Sequence, residues 1–222
     1  SFQEIIQESN RIVALTGAGF STESGLLDFR SQIIHDLPDG LSLEEVLSES
    51  FFISNTDEFY SFIKKYLIGD NILPNSGHFL LTELENKGKL STVITQNIDG
   101  LHQQAGTKSV IELHGQIQSA HCIVCHIQYL TSKVIAEGKY TCKCGGFIQP
   151  NIVLYGQMVS TNRLHRAIQA VKEADMLLVA GTSLRVHPAA ALVEYFSGKH
   201  LVILNDEETP YDSYATLVIR KK

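Results

Sequence analysis

Apolar residues along this chain come in short unbroken runs more often than in alternation. RIVALTG (Arg11–Gly17), TVITQNI (Thr92–Ile98), VIELHG (Val110–Gly115), NIVLYG (Asn151–Gly156), DMLLVAGT (Asp175–Thr182), HLVILN (His200–Asn205) and TLVIR (Thr216–Arg220) each read as a strand. Several are apolar throughout, which suits strands covered on both faces of a parallel sheet. Helical spacing fills the intervals. DEFYSFIKKYL (Asp57–Leu67) sets Phe59, Phe62, Ile63 and Leu67 on one face, and HFLLTELENKG (His78–Gly88) ends on a glycine suited to a C-cap. STNRLHRAIQAVKEA (Ser160–Ala174) opens on capping residues, and PAAALVEYFSG (Pro188–Gly198) has Pro in its first turn and Gly at its stop. Strands alternating with helices predict an α/β fold with a largely parallel sheet. Two stretches interrupt the pattern. Residues 31–50 hold a polar Pro-Gly loop and then a short helix; residues 120–146 are too short for a core of their own.

Composition narrows the function. Lys plus Arg is 18 and Asp plus Glu is 24, a net charge of −6 over 222 residues. That balance argues against binding a nucleic-acid backbone, which needs a basic surface. No run approaches the ~18 apolar residues of a membrane span. The N-terminal SFQEIIQESNR lacks the basic-then-apolar layout of a signal peptide. A soluble, cytoplasmic protein without membrane contact is expected.

Candidate chemistry sits where the predicted strands end. Thr16–Gly19 (TGAG), followed by Ser21 and Thr22, is either an anion-binding turn at a helix start or simply a tight strand-to-helix turn. The familiar G-x-G-x-x-G fingerprint fails, since its third glycine is Thr22 and no acidic strand end follows about 20 residues on, so an ordinary Rossmann dehydrogenase is disfavoured. Asp28-Phe29-Arg30 is a surface turn, or a place for Arg30 to meet a phosphate and Phe29 to cover a ring. Gln96-Asn97-Ile98-Asp99 can hold a carboxamide, or Asp99 can cap the next helix. His114 ends another strand, as a structural residue or a general base. Gly181-Thr182-Ser183 and Asn205 offer close backbone approach and ribose contacts, or ordinary turn chemistry. All four cysteines fall in one window, as Cys122-x2-Cys125 and Cys142-x-Cys144. Clustered pairs at this separation have zinc-ribbon spacing, with a redox dithiol as the minor alternative. Four thiolates would leave no open coordination position, so the zinc would be structural.

Taken in order, GAGFSTESGLLDFRS, TQNIDGLH, ELHG, the C-x2-C and C-x-C pairs, PNIVLYGQ, GTSLRVHPAA and ILND resemble the sirtuin family of NAD-dependent protein-lysine deacylases over residues 10–220. The resemblance implies a Rossmann-like domain (1–30, 76–118 and 147–222) that binds NAD in an inverted manner. It also implies a smaller module made of a helical insert with a cofactor loop (31–75) and a zinc-binding unit (119–146).

Acyl-lysine protein or peptide would enter between domain and module and pair as a strand with Val153–Gly156, Tyr155 included, and with Leu184–Val186. Asn97 and Asp99 match the positions that hold the nicotinamide carboxamide. His114 matches the general base for a ribose hydroxyl, and Phe29 the residue that screens the reactive face. Gly17, Ala18, Gly19, Ser21, Thr22, Asp28, Arg30, Gln96, Ile98, Gly181, Thr182, Ser183 and Asn205 match cofactor-contacting positions. The products implied are lysine, nicotinamide and O-acyl-ADP-ribose.

Three positions depart from the family pattern: Leu27 replaces a Pro, Gln157 a Glu and His187 a Tyr. Members that prefer succinyl or malonyl groups carry a Tyr and an Arg three residues on. Here Tyr60 is followed by Ile63, so an uncharged acyl group is expected, with Tyr60 on the substrate side. Competing readings are NAD cleavage without deacylation, as an ADP-ribosyltransferase or NAD glycohydrolase, and a non-catalytic zinc-ribbon module that binds a protein.

Overall fold

Every residue of β1 (Ile12–Thr16) is fully buried, as an apolar run with covered faces on both sides requires. A computed structural model describes residues 1–26, 40–68 and 72–220. Beside β1 lie β2 (Leu90–Thr95) and β3 (Val110–Glu112) on one side and, among the later strands, β7 (Met176–Ala180), β8 (His200–Leu204) and β9 (Leu217–Ile219) on the other. All pair in parallel, in the order β3-β2-β1-β7-β8-β9. A second sheet is antiparallel, β5-β4-β6, from β4 (Gly115–Cys122), β5 (Gln128–Leu130) and β6 (Ile148–Ile152).

Strand alternation sends β1 in two directions. Val13 and Leu15 join one core with Leu177, Val179, Leu201 and Ile203, and Ile12 and Ala14 join another with Met176, Leu178 and Val202. Helices α1 (Phe2–Glu8) and α5 (Ser76–Asn86) cover the second face, and α8 (Thr161–Glu173) with the 3₁₀ turn Ala190–Tyr195 covers the first. Each Leu, Ile or Val so enclosed contributes about 1.5–3 kcal/mol. A third core joins α2 (Leu43–Val46), α3 (Glu49–Ser54) and α4 (Thr56–Tyr66) to the small sheet through Phe52, Phe59, Ile63, Ile117, Ala120 and Ile148. Helices α6 (Leu101–Gln104) and α7 (Thr131–Glu137) complete the described elements.

The parallel α/β sheet expected from the sequence is present, with differences at several strand ends. The run at 151–156 is no main-sheet strand: pairing stops at Ile152, in the antiparallel sheet. β2 stops at Thr95 because Thr95 Oγ1 accepts the Asn97 N–H (3.0 Å) and turns the chain. Residues 115–118 and 148–152 belong to the small sheet, so it extends beyond 119–146 on both sides. The helix expected over 188–198 is a 3₁₀ turn, and so is the segment after the glycine turn, Ala18–Ser24. The N-terminal helix went unread, although Ser1 and Glu4 form a capping box for it. No helix among the described residues is long and apolar enough to cross a membrane.

Candidate active site

Parallel pairing puts the carboxyl ends of all six main strands on one edge, so the segments that follow them are neighbours in space. The chain leaves β1 toward β2 on one side and reaches β7 on the other, making the β1/β7 boundary a topological switch point where α/β sheets bind ligands. Two glycine segments meet there. The Gly19 N–H donates to the Gly181 carbonyl at 2.9 Å, and the Gly17 N–H to the Ala180 carbonyl at 3.2 Å. A Cβ on Gly181 would lie 2.2 Å from the Phe20 nitrogen, and the φ of +63° at Gly181 favours glycine.

On the β2 side, Asn97 Nδ2 donates to Ser21 Oγ (3.0 Å), and Ser21 Oγ donates to Asp99 Oδ2 (2.7 Å). Residues more than 70 positions apart thus form one chain of polar contacts, with Ser21 only 1% exposed at its centre. Asp99 Oδ1 also accepts the Leu101 N–H at 2.9 Å, an Asx turn that leads into α6, whose N-cap is Gly100, so Asp99 serves the local turn and the cluster together. Gln96 Nε2 donates to Thr182 Oγ1 at 2.9 Å and links β2 to the β7 end.

His114 Nδ1 lies 2.9 Å from the Gln96 carbonyl, one peptide unit from Asn97. A carbonyl only accepts, so Nδ1 carries the proton and Nε2 presents its lone pair. Burial lowers the imidazole's pKa below its ordinary value, with the Gln96 bond opposing, so the ring is neutral near pH 7. A neutral, oriented imidazole beside a Ser–Asn–Asp cluster can remove a proton from a bound hydroxyl.

Other expected positions fall differently. Thr22 Oγ1 bonds the Gly19 carbonyl within its own turn (3.0 Å), and Asn205, at the end of β8, donates to the Glu207 carbonyl (2.9 Å). Ile98 packs against the small core and stays partly exposed. Ala18 and Ser183 lie in the two glycine segments. Asp28, Phe29 and Arg30 lie outside the described residues.

Tyr60 is a correction: it is 1% exposed, donates to the Ile148 carbonyl at 2.6 Å and stacks on Tyr140 at 4.2 Å. Ile63 is buried with it, so neither side chain faces a substrate. Leu184 is likewise a main-core side chain at 3% exposure and could meet a peptide only through its backbone. Val186 is half-buried and its carbonyl accepts from Ala190. In 153–156, three N–H groups are already taken: Val153 by the His114 carbonyl (2.8 Å), Leu154 by Gln157 Oε1 (3.1 Å) and Tyr155 by the Leu47 carbonyl (2.9 Å). The Leu154 carbonyl accepts from the Gln157 N–H (2.9 Å) and the Tyr155 carbonyl from the Glu49 N–H (3.0 Å), so a peptide strand would meet this segment mainly through the Val153 carbonyl and Gly156.

Sequence reasoning missed a buried group beneath the glycine turn. His78 (0% exposed) and His102 (1%) flank Phe20, with ring centroids 4.9 and 5.3 Å from it. His102 Nε2 lies 2.9 Å from Thr16 Oγ1, which donates to Thr95 Oγ1. The available signal was Asn75 with a His at the third helical position, a capping box with imidazole in place of Glu.

The four thiolates also come together. Sγ atoms of Cys122, Cys125, Cys142 and Cys144 all lie within 4.8 Å of one another, and no disulfide links them. Tetrahedral zinc with bonds near ~2.3 Å needs sulfurs roughly 3.8 Å apart, so this donor set fits it.

Comparison with known proteins agrees with this geometry. The Sir2 family model matches residues 17–188. An NAD-dependent protein deacetylase of Cutibacterium acnes (strain DSM 16379 / KPA171202) is 46% identical over 220 residues, 96% of this chain and 89% of that protein. One from Clostridium perfringens (strain 13 / Type A) is 46% identical over 224 residues, covering 98% and 91%. A solved structure described as Sir2 with p53 peptide and NAD+ superimposes with a TM-score of 0.89 at 40% identity, over 99% of this chain and 91% of the other. Another, Sir2 with the inhibitor EX-527, 2'-O-acetyl-ADP-ribose and deacetylated p53 peptide, has a TM-score of 0.88 at 40% identity, covering 99% and 92%.

Proposed function

The chain belongs to the Sir2 family, and from that premise we propose that it is an NAD-dependent protein-lysine deacetylase acting on acylated peptide or protein substrates. One observation carries the reading: His114, fixed by the Gln96 carbonyl, stands one residue from the Asn97–Ser21–Asp99 cluster at the switch point. NAD supplies a ribose–nicotinamide bond whose cleavage makes the sugar carbon an acceptor for the acyl oxygen. The chain's residues fit it by chemistry: Asn97 donates and Asp99 accepts, the pair a carboxamide needs. Their hold on Ser21 ties that pair to the glycine turn. His114 Nε2 takes the proton of a ribose hydroxyl. Gly17, Ala18, Gly19, Gly181, Thr182 and Ser183 line the approach of the dinucleotide, with Gln96 bracing the two sides and Asn205 further along the edge. Inverted cofactor binding in the main domain and peptide entry beside 153–156 and 184–186 belong to the same proposal.

Cys122, Cys125, Cys142 and Cys144 would hold one zinc ion in a closed site, where it braces the small sheet. Four thiols free of disulfides suit a reducing compartment, which supports a cytoplasmic location.

The test supplies acetyl-lysine peptide and NAD together and follows products by mass spectrometry. Peptide-dependent nicotinamide release with O-acetyl-ADP-ribose is expected. Free ADP-ribose without peptide would mean a glycohydrolase, and no turnover would leave a binding module. Acetyl-lysine should outpace succinyl-lysine, because the position that carries Arg in succinyl-preferring relatives is here the buried, uncharged Ile63, which offers no cation to a second carboxylate; faster desuccinylation would overturn that preference.

A further inference from the structure

We propose that Gln157 is a positioning residue for the substrate peptide, clamped to Glu49 so that residues 153–156 keep the shape that receives it. The inference rests on the reading of 153–156 as a peptide-binding segment. That segment lies past the end of β6; among the described residues it has the Val153 N–H bond to the His114 carbonyl (2.8 Å) and an isolated bridge between Tyr155 and Ser48. The Tyr155 N–H donates to the Leu47 carbonyl (2.9 Å), and the Tyr155 carbonyl accepts from the Glu49 N–H (3.0 Å). No regular strand pairing among the described residues holds the segment beyond this.

Gln157 fills that gap with all four of its hydrogen-bonding positions. Its Oε1 accepts the Leu154 N–H (3.1 Å) and Gln149 Nε2 (3.1 Å); its Nε2 donates to Glu49 Oε1 (3.1 Å) and Gln149 Oε1 (3.1 Å). Its own N–H donates to the Leu154 carbonyl at 2.9 Å, closing a turn around the segment. Gln149 Nε2 also reaches the Ile152 carbonyl (3.3 Å), the last residue of β6. One amide therefore ties the segment to the sheet strand behind it and to the first turn of α3, where the Glu49 carboxylate sits favourably.

The clamp demands a donor at 157, because the Glu49 carboxylate only accepts. A glutamate there would set two carboxylates against each other and leave the Gln149 oxygen without its donor. Glu112 of β3, His121 of β4 and Arg163 of α8 line the same cleft. Burial raises the Glu112 carboxyl's pKa, with the hydrogen bond from Gln103 and the charge of Arg163 opposing.

The variants Gln157→Glu, Glu49→Gln and the double Glu49→Gln/Gln157→Glu, in the full chain, test this with acetyl-lysine peptide and NAD. Gln157→Glu should raise the peptide KM about tenfold or more, because like charges brought together at a contact are costly. The kcat and the KM for NAD should stay within about twofold, since the changed interaction meets only the peptide segment. The double variant exchanges donor and acceptor across the contact and should recover most of the lost affinity. Hydrogen exchange of 153–155 should quicken in Gln157→Glu and slow again in the double variant. An unchanged peptide KM in Gln157→Glu overturns the inference. So does a double variant no better than the single one, or a fall in all kinetic constants with faster exchange across the whole chain. If the wild type shows no peptide-dependent turnover, the functional reading fails on its own, and the exchange comparison still decides whether the clamp exists.

Discussion

Acidification should destabilise this protein through His102 before its carboxylates titrate. The ring is 1% exposed, and burial drives its pKa to about 3, with His78 adding to the shift. Thr16 Oγ1 spends its proton on Thr95 and so accepts from His102 Nε2–H. His102 Nδ1 is left buried without a partner among the described residues, and a proton there would find no acceptor.

The folded pKa lies below the unfolded value near ~6.5, so the unfolded chain binds the proton more tightly. The neutral ring's full contribution is therefore present above pH 6.5 and is lost as pH falls toward the folded pKa. At pH 5 the binding polynomials differ by a factor of roughly 30, which is about 2 kcal/mol. Burial lowers the pKa of His78 as well, with Asp99 opposing, so it adds with the same sign. Urea unfolding at pH 7.5 and 5.0, for wild type and His102→Phe, isolates the effect. The wild type should lose about 2 kcal/mol more than the variant between the two pH values, because other titrating groups, thiolates included, cancel in the comparison. An equal loss in both proteins, or a His102 ring resonance that titrates near its ordinary value, refutes the reasoning.

Four further outcomes follow from the geometry. His114→Ala should lower kcat by about 10²–10⁴ while the melting temperature holds, since the ring's hydrogen bond to the Gln96 carbonyl ties it to a single backbone group; a matching loss of stability would make the residue structural. Because the imidazole's pKa is lowered and the neutral form is the base, the acid limb of kcat/KM should bend below pH 6.5 rather than above it. Gly181→Ala combines a left-handed backbone with a Cβ 2.2 Å from the Phe20 nitrogen; it should cost at least about 1 kcal/mol in urea unfolding and raise the KM for NAD. Chelation or Cys142→Ser should cost folding as well as activity, since Cys122 and Cys142 share a core with α4; unchanged thermal stability after metal loss would contradict a structural zinc.

The apolar runs and the spacing of the cysteines determined a good deal by themselves. A run such as Ile12–Thr16 is costly to expose on either face, so it implies covered faces, and alternating helices imply parallel connections. Thiols two and three positions apart are close in any conformation, which is why the cysteine cluster was legible.

What the sequence left open depended on partners distant along the chain. Ser21, Asn97 and Asp99 meet because parallel strands share one edge, and no local periodicity encodes that edge. Tyr60 was read by analogy as a substrate contact, whereas its place on the apolar face of α4 buries it against Tyr140. Residues 153–156 resemble a strand in composition, but their hydrogen bonds go to Leu47, Glu49, His114 and Gln157. Side-chain pattern specifies which face is buried; the backbone partners that settle strand, turn or clamp exist only once the chain has folded.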